Sequence, residues 1–232
     1  MRKKLVPLTG RFTDRTHAGQ VLATALDHYA GHEEDTVVLA LPRGGVPVAF
    51  EVAMALHTPM DLIVARKLGL PGWEELAMGA ISCGGVRILN DDLILRSNIR
   101  QPQIEAVAAR ELTELHRQEI AYRGRTGSPR VTGKTVLLID DGVATGLSIL
   151  AAVRVLRAQE PAAIVIGVPV ASAEALEMLK PEVDDFVALM IPANFSSVSQ
   201  WYDDFDQTSD ATVKALLAET KCRTREMEPG FS

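Results

Sequence analysis

The stretch Val136–Leu147, VLLIDDGVATGL, constrains the fold of this chain more than any other. Its first four residues, Val136 to Ile139, read as a short strand buried on both faces, as inside a parallel sheet. The strand runs into two adjacent carboxylates, Asp140 and Asp141. A tight turn follows, Gly142-Val143-Ala144-Thr145-Gly146, and then a helical pattern from Leu147 to Ala158. Open α/β sheets bind ligands at the carboxyl ends of their strands. A glycine-bearing turn that opens a helix offers bare N–H groups and a positive dipole end to a phosphate. Ionised aspartates only accept hydrogen bonds, and a ribose diol donates two. Diol-binding acids beside a phosphate cradle imply a ribose-5-phosphate site. The alternative, a plain helix N-cap with a turn, is disfavoured by the combination of buried strand, paired acids and Thr-Gly loop.

Two other segments end in comparable chemistry. Thr36–Leu41 is a second buried-strand candidate, closed by Pro42-Arg43-Gly44-Gly45 before the apolar helix pattern Val46–Leu56. The planar fork of Arg43 matches paired phosphate oxygens. Asp61–Ala65 reads as a third strand, followed by Arg66-Lys67 and the glycine- and proline-containing stretch Leu68–Gly72. Taken alone, an Arg-Gly-Gly turn or a basic pair at a strand end is more often a solvated surface feature.

Around these segments strands and helices alternate. Asp14 can cap a helix with Ala18, Val21, Leu22, Ala25 and Leu26 on one face. Gly79–Leu89 reads as a short strand or hairpin around Cys83-Gly84-Gly85. In the stretch from about Asp91 to Arg123, Ile104, Val107, Ala108, Leu112 and Leu115 keep helical spacing, and Pro102 marks a helix start. Ala163–Val170 and Phe186–Ile191 are further strands around a helix at Ala173–Leu179, and Asp210–Thr220 is the last helix. The order predicts an α/β fold with a parallel sheet and right-handed crossovers. Its ligand edge gathers Pro42–Gly45, Arg66-Lys67, Asp140–Gly146 and the residues after Ile191.

The 232 residues suit one well-cored domain, and a net charge of −6 argues against a general nucleic-acid or anionic-membrane binder. No apolar run reaches the length of a membrane span, and MRKKLVPLTGRF lacks the apolar stretch of a signal peptide. Cys83 and Cys222 have no metal-like spacing, which fits a reducing cytoplasm. Gly133-Lys134-Thr135 resembles the end of a P-loop but precedes a strand instead of following one. His28 and His32 are interrupted by Gly31, and no Gly-x-Ser-x-Gly nucleophile turn is present.

The segment Val136–Leu147 resembles the signature of the type I phosphoribosyltransferases: a hydrophobic strand, two acids and a small-residue loop ending in Thr-Gly. More broadly, from about Phe12 to Leu217 the chain resembles bacterial phosphoribosyltransferases of unassigned acceptor. The resemblance implies a Rossmann-like parallel-sheet core with a helical insertion (about 91–123), a small hood (about 192–206) and a polar tail (221–232), all in one domain. It implies that Asp140 and Asp141 hold the ribose hydroxyls of phosphoribosyl pyrophosphate (PRPP), and that Gly142, Val143, Ala144, Thr145, Gly146 and Ser148 hold its 5′-phosphate. Many members have two threonines before the glycine; Ala144 here removes one hydroxyl and leaves the backbone donors. Arg43, Gly44 and Gly45 would grip pyrophosphate, with Lys67 and Arg66 as further candidates. The segment from Leu68 to about Met78 would be the mobile loop that closes the site.

The implied reaction moves ribose-5-phosphate from PRPP to a nitrogenous base and releases pyrophosphate. Such a step needs positioning, exclusion of water and cations on the leaving group, here Arg43, Lys67 and Mg²⁺, which Asp140 and Asp141 would meet largely through water and ribose oxygens. The acceptor's base is open among those acids, Asp203 and Asp204. In a chain with 5% aromatics, Phe195, Trp201, Tyr202 and Phe205 fall between positions 195 and 205. Phe195, Trp201 and Tyr202 would stack on a flat acceptor; equally, these rings could seal the hood onto the core or form a contact between copies of the chain. Two rival functions are a PRPP-binding regulator without catalysis and a phosphohydrolase or phosphorylase acting on phosphoribosyl compounds.

Overall fold

The structure, a computed structural model, describes residues 10–32 and 34–227, and of residues 75 and 221–227 the backbone alone. A five-stranded sheet forms the centre, in the order β2-β1-β6-β7-β8. Its strands are β1 (Thr36–Ala40), β2 (Met60–Leu62), β6 (Thr135–Ile139), β7 (Ala163–Val170) and β8 (Asp185–Met190), and every pairing is parallel. In chain order the five read 2-1-3-4-5, a doubly wound sheet whose direction of winding reverses between β1 and β6. Ligands bind at such a reversal. The register Ala40↔Ile139 ends both strands at the same level, so the loops that follow them face each other.

Burial on both faces explains the unbroken apolar runs. Alternate residues of a strand point to opposite sides. Val136 and Leu138 join the core on one face, and Leu137 and Ile139 the core on the other. The second core is covered by α1 (Arg15–Ala25), α2 (Gly45–Leu56) and α7 (Asp210–Met227). The first lies beneath α5 (Leu147–Arg157), α6 (Ala173–Leu179) and the 23-residue α4 (Gln101–Arg123), which follows the short α3 (Asp91–Arg96). Asp14 caps α1 by accepting from the His17 N–H at 2.7 Å, and Pro102 stands in the first turn of α4, as expected. Of the tail expected over 221–232, the backbone to Met227 continues α7, and the remainder lies outside the described residues.

The third expected strand is where the structure differs. β2 ends at Leu62, and Ala65 already opens β3 (Ala65–Leu70) in a separate sheet of order β3-β4-β5. β3 pairs antiparallel with β4 (Trp73–Ser82), and β4 with β5 (Arg87–Leu89), which is the hairpin expected around Cys83-Gly84-Gly85. The expected mobile loop Leu68–Met78 is therefore a paired hairpin in which Leu68, Leu70 and Met78 are buried. Its strand character is obscured by register shifts on either side of Gly69, where a side chain would meet the Glu74 carbonyl oxygen at 2.7 Å. Only the tip stands out: Trp73 is 74% exposed, which excludes its anchoring the hairpin to the core.

Candidate active site

The acid pair follows β6 directly. The Asp140 carboxylate accepts from the Asp141 N–H at 2.9 Å, so the first acid turns back over its own loop. The Asp141 carboxylate accepts from Arg15 Nε at 2.8 Å, and the Asp141 carbonyl accepts from the Tyr202 hydroxyl at 2.6 Å. Burial pushes both carboxyls above the usual range, Asp140 well above it, where the neighbouring Asp141 charge adds to the effect. On Asp141 the Arg15 guanidinium works in the opposite direction. Two shielded acids and one cation form a site poised to accept hydrogen bonds from a polar ligand.

The loop after the acids makes the turn into α5. Val143 continues the sheet hydrogen bonding by donating to the Val170 carbonyl at 2.9 Å, which fixes the loop's base. Beyond it, no described residue accepts from the N–H groups of Ala144, Thr145 or Gly146. Gly146 caps α5 with a φ of 76° and without a side-chain hydrogen bond. A residue bearing a side chain resists that backbone conformation. The result is a row of N–H groups at the positive end of an apolar helix, an arrangement suited to phosphate. Ser148 lies in the first turn of α5.

The loop Pro42–Gly45 after β1, whose Pro42–Arg43 peptide is cis, faces this one. A Cβ on Gly44 would lie 2.0 Å from Asp141 Oδ2, and one on Gly45 would lie 2.9 Å from Asp140 Cα. These glycines let the two loops touch. Arg43 Nη1 lies 3.3 Å from Asp210 Oδ1 at the start of α7, and the same carboxylate accepts from the Tyr122 hydroxyl at 2.6 Å. Burial, helped by that hydrogen bond, pushes the Tyr122 hydroxyl up to about 12.

An open cleft of about 810 Å³ runs between the second acid and the facing loop, lined by Arg15, Arg43, Gly44, Lys67, Asp141, Val198, Phe205, Gln207 and Thr208; Asp140 and the turn 142–146 are not among its lining residues. Alternation along β3 separates the basic pair. Lys67 reaches the cleft, whereas Arg66 Nε donates to Glu111 Oε2 on α4 at 2.8 Å, so Arg66 belongs to the packing of the hairpin on α4. Tyr202 is corrected likewise. It is 1% exposed and packs against Phe12 and Phe205, leaving neither ring face for an acceptor. Phe195 and Trp201 are half-buried against the core beside it. Asp203 pairs with Arg11 at 3.4 Å and Asp204 accepts from the Asp206 N–H at 3.0 Å; neither lines the cleft.

Of the residues that line the cleft, Arg15, Gln207 and Thr208 are not among those the sequence marks out, and Phe205 stands in the aromatic run without being singled out for the site. Nothing local marks Arg15, which follows a helix cap like many surface arginines. The aromatic run did mark the segment that lines the cleft, though not which of its rings would face it.

Comparison with known proteins places this arrangement. The family model of the phosphoribosyl transferase domain matches residues 14–196. A Mycobacterium tuberculosis protein provisionally named a phosphoribosyl transferase is 44% identical over 208 residues, 89% of this chain and 46% of its own length. The chain thus spans about half the length of the curated relatives it matches. A crystal structure of a Thermus thermophilus protein is 42% identical, covers 90% of this chain and 98% of its own, and superposes with a TM-score of 0.74. With the acid pair, the phosphate-ready turn and the facing loop in place, the chain belongs to the phosphoribosyl transferase domain family.

Proposed function

We propose that this chain transfers ribose-5-phosphate from PRPP to a nitrogen of a small base and releases pyrophosphate. The observation that carries the reading is the close packing of the loop Pro42–Gly45 on the acid pair, so tight that Gly44 has no room for a side chain beside Asp141. One ligand spanning both loops would set its sugar on the acids and its diphosphate on the facing loop.

In this reading Asp140 and Asp141 accept hydrogen bonds from the ribose hydroxyls and orient the anomeric carbon toward the acceptor. The N–H groups of Ala144, Thr145 and Gly146 hold the 5′-phosphate. Arg43 and Lys67 carry the charge that collects on the departing diphosphate, and Arg43 exchanges its Asp210 partner for phosphate oxygens as it does so. The bond from the anomeric carbon to the diphosphate oxygen breaks, the oxygen keeps the electron pair, and the acceptor nitrogen forms the new bond. Positioning and fixed charge suffice for such a step, without a protein nucleophile.

Among the described residues no three His, Cys, Asp or Glu side chains are grouped to cage a metal. Two carboxylates beside a diphosphate site nevertheless fit Mg²⁺, which keeps several waters and takes one or two carboxylates together with substrate phosphates. Asp140 and Asp141 would hold it, and when bound it neutralises charge on the leaving group.

Incubation with PRPP and Mg²⁺, alone and then with a panel of nitrogenous bases, tests the proposal through release of pyrophosphate. Release that depends on a base supports transfer. Release without a base would make water the acceptor, and binding without release under every condition would make the chain a PRPP sensor.

A further inference from the structure

Arg15 ties two lining residues of the cleft, Asp141 and Phe205, to the backbone of Asp206. Its Nε donates to Asp141 at 2.8 Å, and its Nη1 donates to the Asp206 carbonyl at 2.7 Å. Its guanidinium carbon lies 3.9 Å from the centre of the Phe205 ring. The side chain is 11% exposed although it starts a surface helix, and Arg15 and Phe205 both line the cleft. A guanidinium is a rigid planar fork, so two acceptors bound by it are held at one separation. Stacking on a ring fixes the remaining freedom, the tilt of the plane. The acceptors belong to segments 65 positions apart, joined otherwise near this point by the hydrogen bond from the Tyr202 hydroxyl to the Asp141 carbonyl.

The remaining cleft cations are placed differently. Arg43 is engaged by Asp210 on α7, and Lys67 comes from the hairpin.

We propose that Arg15 is a positioning residue that locks the Asp141 carboxylate to the segment Phe205–Asp206, so that the ribose-binding acid and that segment form one preset unit. The inference rests on the PRPP reading above. Arg15 aims the second acid at the sugar and leaves the diphosphate grip to the facing loop. Preset acceptor groups spare a ligand the cost of ordering them.

The test is calorimetric titration of the whole chain with PRPP plus Mg²⁺ and, separately, with pyrophosphate without Mg²⁺, so that the contact of the metal with Asp141 does not enter the second titration. The variants are Arg15→Met, Arg15→Lys, Phe205→Leu and Arg15→Met combined with Phe205→Leu. Loss of a charge-assisted hydrogen bond should weaken PRPP binding in Arg15→Met by about 10- to 150-fold. Pyrophosphate affinity should stay within about twofold, which a merely structural role would not spare. Arg15→Lys should recover part of the loss, because it restores the charge without the fork. Phe205→Leu should weaken PRPP binding when Arg15 is present and add nothing in the Arg15→Met background.

Unchanged PRPP affinity in Arg15→Met, equal losses for both ligands, or additive effects of the two substitutions would each overturn the proposal. Should Arg15→Met fail to fold, Arg15→Lys and Phe205→Leu decide it: PRPP affinity equal to the unaltered protein's in both is an overturning result. No PRPP binding by the unaltered protein would overturn the parent reading and this inference together. Normal binding there with an unaffected Arg15 variant overturns the inference alone.

Discussion

Replacing Gly44 by alanine tests whether the contact between the two loops, more than the chemistry of either alone, makes the site. The new Cβ would lie 2.6 Å from Asp141 Cγ and 2.0 Å from its Oδ2, the latter more than an ångström inside ordinary contact. The carboxylate cannot retreat freely. Arg15 holds it at 2.8 Å, its side chain is only 14% exposed, and its backbone carbonyl is tied to Tyr202. Either the Arg15 hydrogen bond breaks or the loop Pro42–Gly45 lifts away from the acids. A lost hydrogen bond to a charged group costs about 1.5–3 kcal/mol. That converts to a loss of about 10- to 150-fold in PRPP affinity. If the strain is expressed in the ligand-free protein, the melting temperature should fall by about 3–12 °C. Titration calorimetry with PRPP and Mg²⁺ reads the first effect and scanning calorimetry the second. Gly10→Ala serves as the control, since its Cβ would meet nothing within 4 Å. A Gly44→Ala protein that melts and binds PRPP like the unaltered chain would refute the argument that loop contact organises the cleft.

Three more outcomes are expected. Asp140→Asn and Asp141→Asn should each weaken PRPP binding by about 10-fold or more while the fold is kept, since each removes a charged acceptor; a double Asn variant showing the unaltered thermal shift with PRPP would place the site elsewhere. Glu119 is buried with Oε1 unpartnered among the described residues, and burial pushes its carboxyl up. A carboxyl raised in the folded state stabilises fully below its unfolded value, and that stability is lost as pH rises through the folded value. Glu119→Gln should therefore gain about 1–3 kcal/mol over the unaltered chain toward neutral pH, and little near pH 4; melting curves across that range showing a constant difference would contradict it. In a Trp201→Phe background the exposed Trp73 reports the hairpin tip alone, and PRPP should shift its emission to the blue if the tip closes over the cleft. Unchanged emission at saturating PRPP would mean that the hairpin is no gate.

Most of the sheet was legible because its strands are buried on both faces. Thr36–Ala40 and Thr135–Ile139 are short unbroken apolar runs that end in glycine turns, and both signals are local. The same locality made the acids and the glycine turn readable, since strand, carboxylates and helix start are consecutive in the chain. The hairpin β3–β4 was not legible. Its bulged register disrupts the alternation that marks a strand, and Pro71-Gly72 reads as loop whether or not the flanks pair.

The order of types along the chain determined an α/β fold with a ligand edge holding two acids, a glycine turn that opens a helix, and basic residues. Tertiary packing decided which side chains use that edge. Alternation alone puts Arg66 and Lys67 on opposite faces, but only the position of α4 determines that Arg66 is the one taken by Glu111. Tyr202 and Phe205 are two rings of one short aromatic run; the fold sinks the first beneath Asp141 and leaves the second on the cleft wall. Arg15 meets a partner 126 positions away, a pairing that no local pattern records. Backbone conformation is set by neighbours in the chain, whereas a contact between distant residues exists only after whole layers have packed, and the specificity of this site lies in such contacts.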